Sequence, residues 1–446
     1  MAETLNSVVS EQMQRWTVPG VTVGILKDGK RSLHGWGVTN LETEQPVRPD
    51  TLFQIGSISK VFCTTLVMTL VDEGKLDLDA PVITYLPDLK LADPTAQNEV
   101  TLRQLLSHTS GIYGDFFDDF GWGDDALQTS VGEFHTLRQW TPPGSSWAYC
   151  NVGFNLAGAI VEKILGQTFE QAMRERVFEP MGLDHSFYFA HEAIVYSAAA
   201  GHTLVDPAGD EHQVARKYPL PRCVNPAGGV ISNVDDLLAF AQAHIDLGRV
   251  GDKQVLSEAS AKAMQEKQTS AANFADDWGI GWDIRWADGE KLVSHGGSTN
   301  GFQAHLTVVP SRGYAIAILT NSGRGSALYG AVERWALAND LGLNLPTPEQ
   351  VTLSDEQLAA VAGVYSQPQA EYTITVEDGG LRMEAVSISG ITRERTVRPA
   401  EHLAPISARE FVATEGAGAG RRVDFFGGDD EQPRFIRNGG RLAERA

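Results

Sequence analysis

The stretch QIGSISKVFCTTLVMTLVDEGKL (residues 54–76) decides how the rest of the chain is read. A short loop, Gln54-Ile55-Gly56, runs into Ser57-Ile58-Ser59-Lys60. An apolar helical stripe then follows at Val61, Leu66, Leu70 and Val71 and stops at Gly74. The start of a helix offers free N–H groups and a partial positive charge, both useful to an oxyanion forming beside Ser57. Lys60, three residues on, lies on the same helical face. A serine hydroxyl is a weak nucleophile that needs a base. A lysine serves once burial or nearby cations hold it as the free amine. A plainer reading, an N-cap serine and a solvated lysine, fits these four residues alone, since Ser-x-x-Lys is a loose pattern. This is nevertheless the one such match in the chain, and the helix behind it has an apolar face to bury.

Two more motifs follow. Tyr149-Cys150-Asn151 is the one Tyr-x-Asn, in a loop between PPGSSW and the helix-like GFNLAGAIVEKILG (residues 153–166). A phenol near a lysine can move a proton between the Ser57 hydroxyl and a leaving group, and the amide of Asn151 can orient Lys60 and hold a substrate carbonyl. In isolation the segment also fits a turn Tyr with an N-capping Asn151. His295-Gly296-Gly297-Ser298 is the one His-x-Gly, at the end of a strand led in by Val293 and Ser294. Its two glycines let a substrate approach the backbone. The N–H of Ser298 can then join that of Ser57 in an oxyanion hole; a β-bulge beside a surface histidine is the plainer alternative. His108, in LLSHTSG, reads as a brace of the site loop. His34, His185, His202 and His212 show no metal-ligand spacing, so no metal and no cofactor is expected. No G-x-S-x-G elbow supports a Ser-His-Asp triad, and Cys150 reads as a small packing residue.

Around these motifs, residues 4–16 read as a helix, 21–38 as a hairpin turning at Asp28-Gly29, and 301–321 as a hairpin with a Pro-Ser-Arg-Gly turn followed by a helix over 326–342. The region 80–285 is mainly helical, with long aromatic- and glycine-rich loops such as SGIYGDFFDDFGWGDD (residues 110–125) of the kind that line sites. LNLPTPEQ is a linker, and residues 358–446 alternate in short β pieces broken by Gly pairs. The division expected is 1–343, a linker over 344–350, and a small antiparallel barrel over 351–446. With 446 residues, 42 % hydrophobic and 21 % charged, the chain can bury a sizeable core. The net charge of −21 argues against nucleic acid. Three cysteines without C-x-x-C spacing argue against a disulfide framework. No apolar run is long enough for a membrane span, and the N-terminus does not read as a signal peptide, so a cytoplasmic location with no membrane partner is expected.

The order Ser-x-x-Lys, Tyr-x-Asn, basic-x-Gly resembles the serine β-lactamase and penicillin-binding-protein superfamily. The Tyr form of the second motif is similar to class C β-lactamases and their esterase and D-peptidase relatives. FQIGSISKVF, LRQLLSHTSGI, PPGSSWAYCNVGFNLAG, the MGL at 181–183 and GGVISNVDDLLAF (residues 228–240) extend the likeness over roughly residues 5–340. It implies an α+β fold: an antiparallel sheet flanked by helices, with an inserted helical lobe and the site at their junction. Ser57 is then the acylated nucleophile, Lys60 and Tyr149 share base and acid roles, and Asn151 assists. His295 lines the site, Gly297 lets the substrate in, and the N–H groups of Ser57 and Ser298 form the oxyanion hole. The layout of the last 95 or so residues resembles the lipocalin-like appendage of certain peptidases and peptide-cyclising thioesterases of this group.

One departure bears on function. β-Lactamases and transpeptidases of the superfamily usually carry Lys where His295 stands, and an ordinary imidazole is mostly neutral at pH 7. That position resembles the esterases, D-aminopeptidases and acyltransferases. The expected function is a serine hydrolase acting through acyl-Ser57 on a small-molecule or peptide ester or amide, D-amino-acid compounds among them. The alternative is a biosynthetic transacylase or peptide-cyclising thioesterase using the same acyl-enzyme. A true β-lactamase and a non-catalytic binding protein rank lower, and a homo-oligomer stays open. The acidic surface beside a neutral His295 points toward neutral or cationic acyl substrates.

Overall fold

The computed structural model describes residues 3–389, 393–428 and 432–446. Helix α1 (Leu5–Trp16) starts at a capping box in which Thr4 and Ser7 satisfy each other's backbone N–H groups. Strands β1 (Gly20–Lys27) and β2 (Lys30–Gly37) form the expected hairpin. Asp28 and Gly29 both take positive φ at its tip, as a two-residue turn matching strand twist requires. Far along the chain come β3 (Thr269–Ser270), β4 (Asp277–Trp278), β5 (Asp283–Ala287), β6 (Glu290–Thr299), β7 (Phe302–Val309) and β8 (Tyr314–Thr320). Together these make one antiparallel sheet in the order β2-β1-β8-β7-β6-β5-β4-β3. The two ends of this region therefore pair, with Val23 opposite Ile318.

Between β2 and β3 lies the helical lobe, in which α2 (Ser59–Asp72), α3 (Asn151–Leu165) and α4 (Val234–Ile245) carry most of the packing. Helix α5 (Gly325–Ala336) follows β8. The sheet is covered on both faces, so β1 reads as a continuous apolar run rather than an alternating one. Val21, Val23, Ile25, Ile316 and Ile318 join Leu328 and Val332 of α5 and Val8 and Val9 of α1. Ala315, Ala317 and Leu319 face the other way, toward Leu237, Leu238 and Phe240 of α4.

Helix α2 departs from the amphipathic stripe expected of it: every residue from Ser59 to Leu70 is buried. It is the centre of the lobe, and its threonines are satisfied within the helix. Thr64, Thr65 and Thr69 donate their hydroxyls to the carbonyls of Lys60, Val61 and Leu66.

His244 of α4 is buried between Phe240 and Trp282, with Nε2 3.2 Å from Thr65 Oγ1 and no partner for Nδ1. Burial pushes its imidazole down to about 3. The unfolded chain binds this proton below the ordinary value of about 6.5 while the folded chain refuses it. Stability is therefore lost as pH falls below that value, by about 1.4 kcal/mol per pH unit for such a group. Melting curves recorded from pH 7 to pH 5 are expected to show a falling Tm, and His244→Gln to flatten that fall. An unchanged slope in the variant would refute the assignment.

Residues 342–354 have neither helix nor strand. Beyond them β9 (Gly363–Gln367), β10 (Ala370–Glu377), β11 (Gly380–Ile388), β12 (Glu401–Pro405), β13 (Glu410–Ala413), β14 (Arg422–Gly428), β15 (Pro433–Asn438) and β16 (Arg441–Arg445) pair each with the next, and β16 returns to β9. The result is the anticipated barrel, closed by eight strands and free of open edges within the ring. Tyr365, Leu381, Phe411, Phe425 and Ile436 fill it.

Candidate active site

A 3-10 turn, Gly56–Ile58, presents Ser57 at the mouth of α2 to a cleft of about 450 Å³. The approach needs glycine at position 56: its φ is +51°, and a Cβ there would lie 2.6 Å from the backbone N of Ser298. Lys60 is fully buried one turn on. Its Nζ lies 3.1 Å from Ser57 Oγ and 2.6 Å from the carbonyl of Ala227, with the rings of Tyr149 and Phe154 at 4.9 and 5.5 Å. Burial first, and the nearby Arg441 charge second, hold the amine well below the ordinary lysine range. A free amine has two N–H groups and one lone pair. Donation to Ala227 leaves the lone pair for the Ser57 hydroxyl.

Tyr149 enters from the loop before α3 and lines the same cleft as Ser57. Burial raises its phenol well above its usual range, so it stands as a neutral proton donor. Asn151 is the first residue of α3 and lines the cleft. It is not the cap; Cys150 is, its Sγ accepting from the N–H of Gly153 at 3.3 Å. Burial pushes the Cys150 thiol up to about 11, in keeping with a packing role. The expected contact from Asn151 to Lys60 is replaced by another: Asn151 Nδ2 donates to Asp115 Oδ1 at 2.6 Å, and Ala227 orients Lys60 instead. His108 braces the loop as anticipated. Held at φ +60°, it accepts the N–H of Cys150 on Nδ1 at 2.9 Å and stacks 4.3 Å from Tyr149.

His295, Gly297 and Ser298 lie on β6, which passes directly over the Ser57 turn. A Cβ on Gly297 would sit 1.9 Å from the carbonyl oxygen of Ile55, so only glycine allows this crossing. His295 is buried, not a surface histidine, and burial followed by the Lys60 charge pushes its imidazole down to about 3. Nδ1–H donates to the carbonyl of Gly296 at 2.6 Å, so Nε2, which has no partner, offers only a lone pair. This position supplies an acceptor and no cation.

Three residues at the site, Gly440, Arg441 and Asp115, are not singled out by the sequence. The tip of the β15–β16 hairpin, Gly439-Gly440, reaches from the barrel into the cleft: the N–H of Tyr149 donates to Gly440 O at 2.8 Å. Arg441 follows, its guanidinium 4.5 Å from the Tyr149 ring, and lines the same cleft as Ser57. Asp115, buried in the loop that was flagged only for its aromatics, accepts from Arg441 Nε on Oδ2 at 3.2 Å. Among the described residues that line the cleft there is no carboxylate, whereas Arg441 is one of them. The pocket thus departs from the bias toward cationic substrates suggested by the surface charge.

A serine at a helix mouth, a buried amine, a neutral phenol and a glycine-bearing strand meet in one cleft, the arrangement that the resemblance to the serine β-lactamase superfamily implies. The beta-lactamase family profile matches residues 5–339, and the chain belongs to that family. It is 36 % identical over 335 residues, 74 % of this chain and 87 % of the other, to "Penicillin-binding protein 4" of Amycolatopsis lactamdurans. It is 25 % identical over 399 residues, 86 % of this chain and 70 % of the other, to a "D-aminopeptidase" of Gluconobacter oxydans. The crystal structure of SurE shares the whole layout, with a TM-score of 0.75 at 24 % identity over 99 % of this chain and 98 % of that one.

Proposed function

We propose that this protein transfers acyl groups through an ester on Ser57. The observation that carries the reading is the fully buried Lys60, with Nζ 3.1 Å from Ser57 Oγ and its charge disfavoured chiefly by burial and then by Arg441. In the acylation step Ser57 Oγ attacks the carbonyl carbon of an ester or amide while Lys60 takes the hydroxyl proton. The backbone N–H groups of Ser57 and Ser298 face the developing oxyanion. Tyr149 gives its proton to the leaving group as the carbonyl–leaving-group bond breaks, and recovers one from the Lys60 ammonium. Addition of water or another acceptor runs the same transfers in reverse.

The cleft fits a donor with an apolar side chain against Phe117, Leu220, Pro221 and Val224, and polar groups toward Asn300 and Gln303. With Arg441 in the lining and no carboxylate there, neutral or anionic donors are favoured. The D-aminopeptidase relative supports peptide-like amides as the class to screen first. A second reading, transfer to an amine or alcohol, is favoured by the same lining, because among the described residues a deacylating water meets Tyr149, Lys60 and the His295 lone pair but no carboxylate. Product analysis of an N-acylated peptide thioester, with and without added amine, separates the two. A product ratio that follows amine concentration supports transfer; hydrolysis alone across several acceptors assigns a hydrolase. No consumption of ester, thioester or amide would refute both.

A further inference from the structure

We propose that Asp115 and Arg441 are positioning residues of the active site, so that acyl transfer at Ser57 requires the C-terminal barrel to be seated through their ion pair. The inference rests on the acyl-Ser57 reading. Asp115 is a junction with a separate partner for each of its oxygens. Oδ1 accepts from Asn151 Nδ2 at 2.6 Å, Oδ2 from Arg441 Nε at 3.2 Å, and the backbone oxygen from Gln369 Nε2 of the barrel at 2.8 Å. One buried carboxylate therefore ties the Tyr-x-Asn segment to Arg441 of the barrel, and the backbone carbonyl of the same residue holds a second part of the barrel through Gln369. A second tie runs beside it, the N–H of Tyr149 to Gly440 O at 2.8 Å. A third lies further out, where Asn273 Nδ2 donates to the carbonyls of Arg422 and Arg437 at 3.1 Å each.

The geometry also fixes an electrostatic role. The Tyr149 ring has Lys60 Nζ at 4.9 Å and the Arg441 guanidinium carbon at 4.5 Å. A permanent cation so close to a buried amine favours the uncharged amine, and the Asp115 carboxylate opposes it. The other groups around Lys60 are Cys63 on its own helix, Tyr149 and Cys150 before α3, His108 in the loop and His295 on β6. Burial keeps both thiols, the phenol and the two imidazoles uncharged near neutrality, so Arg441 and Asp115 are the charges that set the balance.

Removing either charge moves the pH dependence in opposite directions, which a merely structural role would not do. The measurement is the second-order rate of Ser57 labelling by a neutral fluorophosphonate from pH 5 to pH 10 on the full chain, read by mass spectrometry. Such a probe has no carboxylate for Arg441 to bind. In the wild type the rate rises with pH as Lys60 loses its proton. Arg441→Met is expected to move the midpoint up by about one unit or more. Arg441→Lys, which keeps the charge, holds the midpoint near the wild-type value. Asp115→Asn moves it down and also lowers the plateau about tenfold, because the amide keeps one acceptor oxygen for Asn151 and loses the one that receives Arg441 Nε. Wild-type profiles in Arg441→Met and Asp115→Asn overturn the proposal, as does an equal loss at every pH in all three variants. Should Arg441→Met fail to fold, Asp115→Asn against Arg441→Lys decides by the same criterion. A wild type that takes no label on Ser57 overturns the acyl-enzyme reading itself, and this proposal with it.

Discussion

Ser57→Ala is expected to lower turnover of an activated ester roughly a thousandfold or more, while leaving the fold intact. The change removes the hydroxyl 3.1 Å from Lys60 Nζ, the one side-chain hydroxyl bonded to that amine among the described residues. The amine keeps its donation to Ala227 at 2.6 Å, so the buried lysine stays satisfied and Tm should change little. Steady-state rates with a nitrophenyl ester check the first part and thermal melts the second. A variant with wild-type turnover would remove Ser57 from the chemistry.

Lys60→Met should separate activity from stability. Loss of the general base lowers acylation by about 10²- to 10⁴-fold. Stability should move the other way. Lys60 is wholly buried and held well below its ordinary range, so at pH 7 folding must strip its proton. From an unfolded value near 10.4 that costs about 5 kcal/mol. Methionine has nearly the same shape and needs no deprotonation, and it forfeits only the bond to Ala227 O, worth about 1 kcal/mol. The larger effect decides, so the variant is expected to melt higher than the wild type at pH 7. The sign also fixes the pH trend. A depressed lysine makes the wild type more stable as pH rises toward 10, so the gap should narrow between pH 7 and pH 9. A variant that melts lower at pH 7, or a gap that widens with pH, would show that Lys60 is charged in the folded protein.

The parts legible in the sequence were those set by local pattern. The Asp28-Gly29 turn, the apolar runs of β1 and β8 and the glycine-broken β pieces of the barrel each carry their reason within a few residues. The three motifs were legible because each needs unusual residues side by side, and the structure brings Ser57, Lys60, Tyr149, Asn151, His295 and Ser298 to one cleft. What was not legible depends on pairings across long separations. Arg441 lies 326 positions from Asp115, and nothing near either residue signals that they meet. The all-round burial of α2 was hidden because Thr64, Thr65 and Thr69 look solvent-facing until their hydroxyls are seen to bond within the helix. The neutral state of His295 was inferred correctly from ordinary imidazole chemistry, yet its cause is burial on β6. The pocket's cation arrives from the barrel, which no reading of the His-x-Gly motif could supply.

The central claim is that acyl groups pass through Ser57 with Lys60 as base. Its most direct test is mass spectrometry of the Ser57-bearing peptide, quenched within seconds of mixing the wild type with a neutral activated ester. The account predicts an acyl adduct on Ser57 that accumulates and then decays, and that is absent in Ser57→Ala. Turnover of the ester with no adduct on Ser57, or with the adduct on another residue, would contradict it.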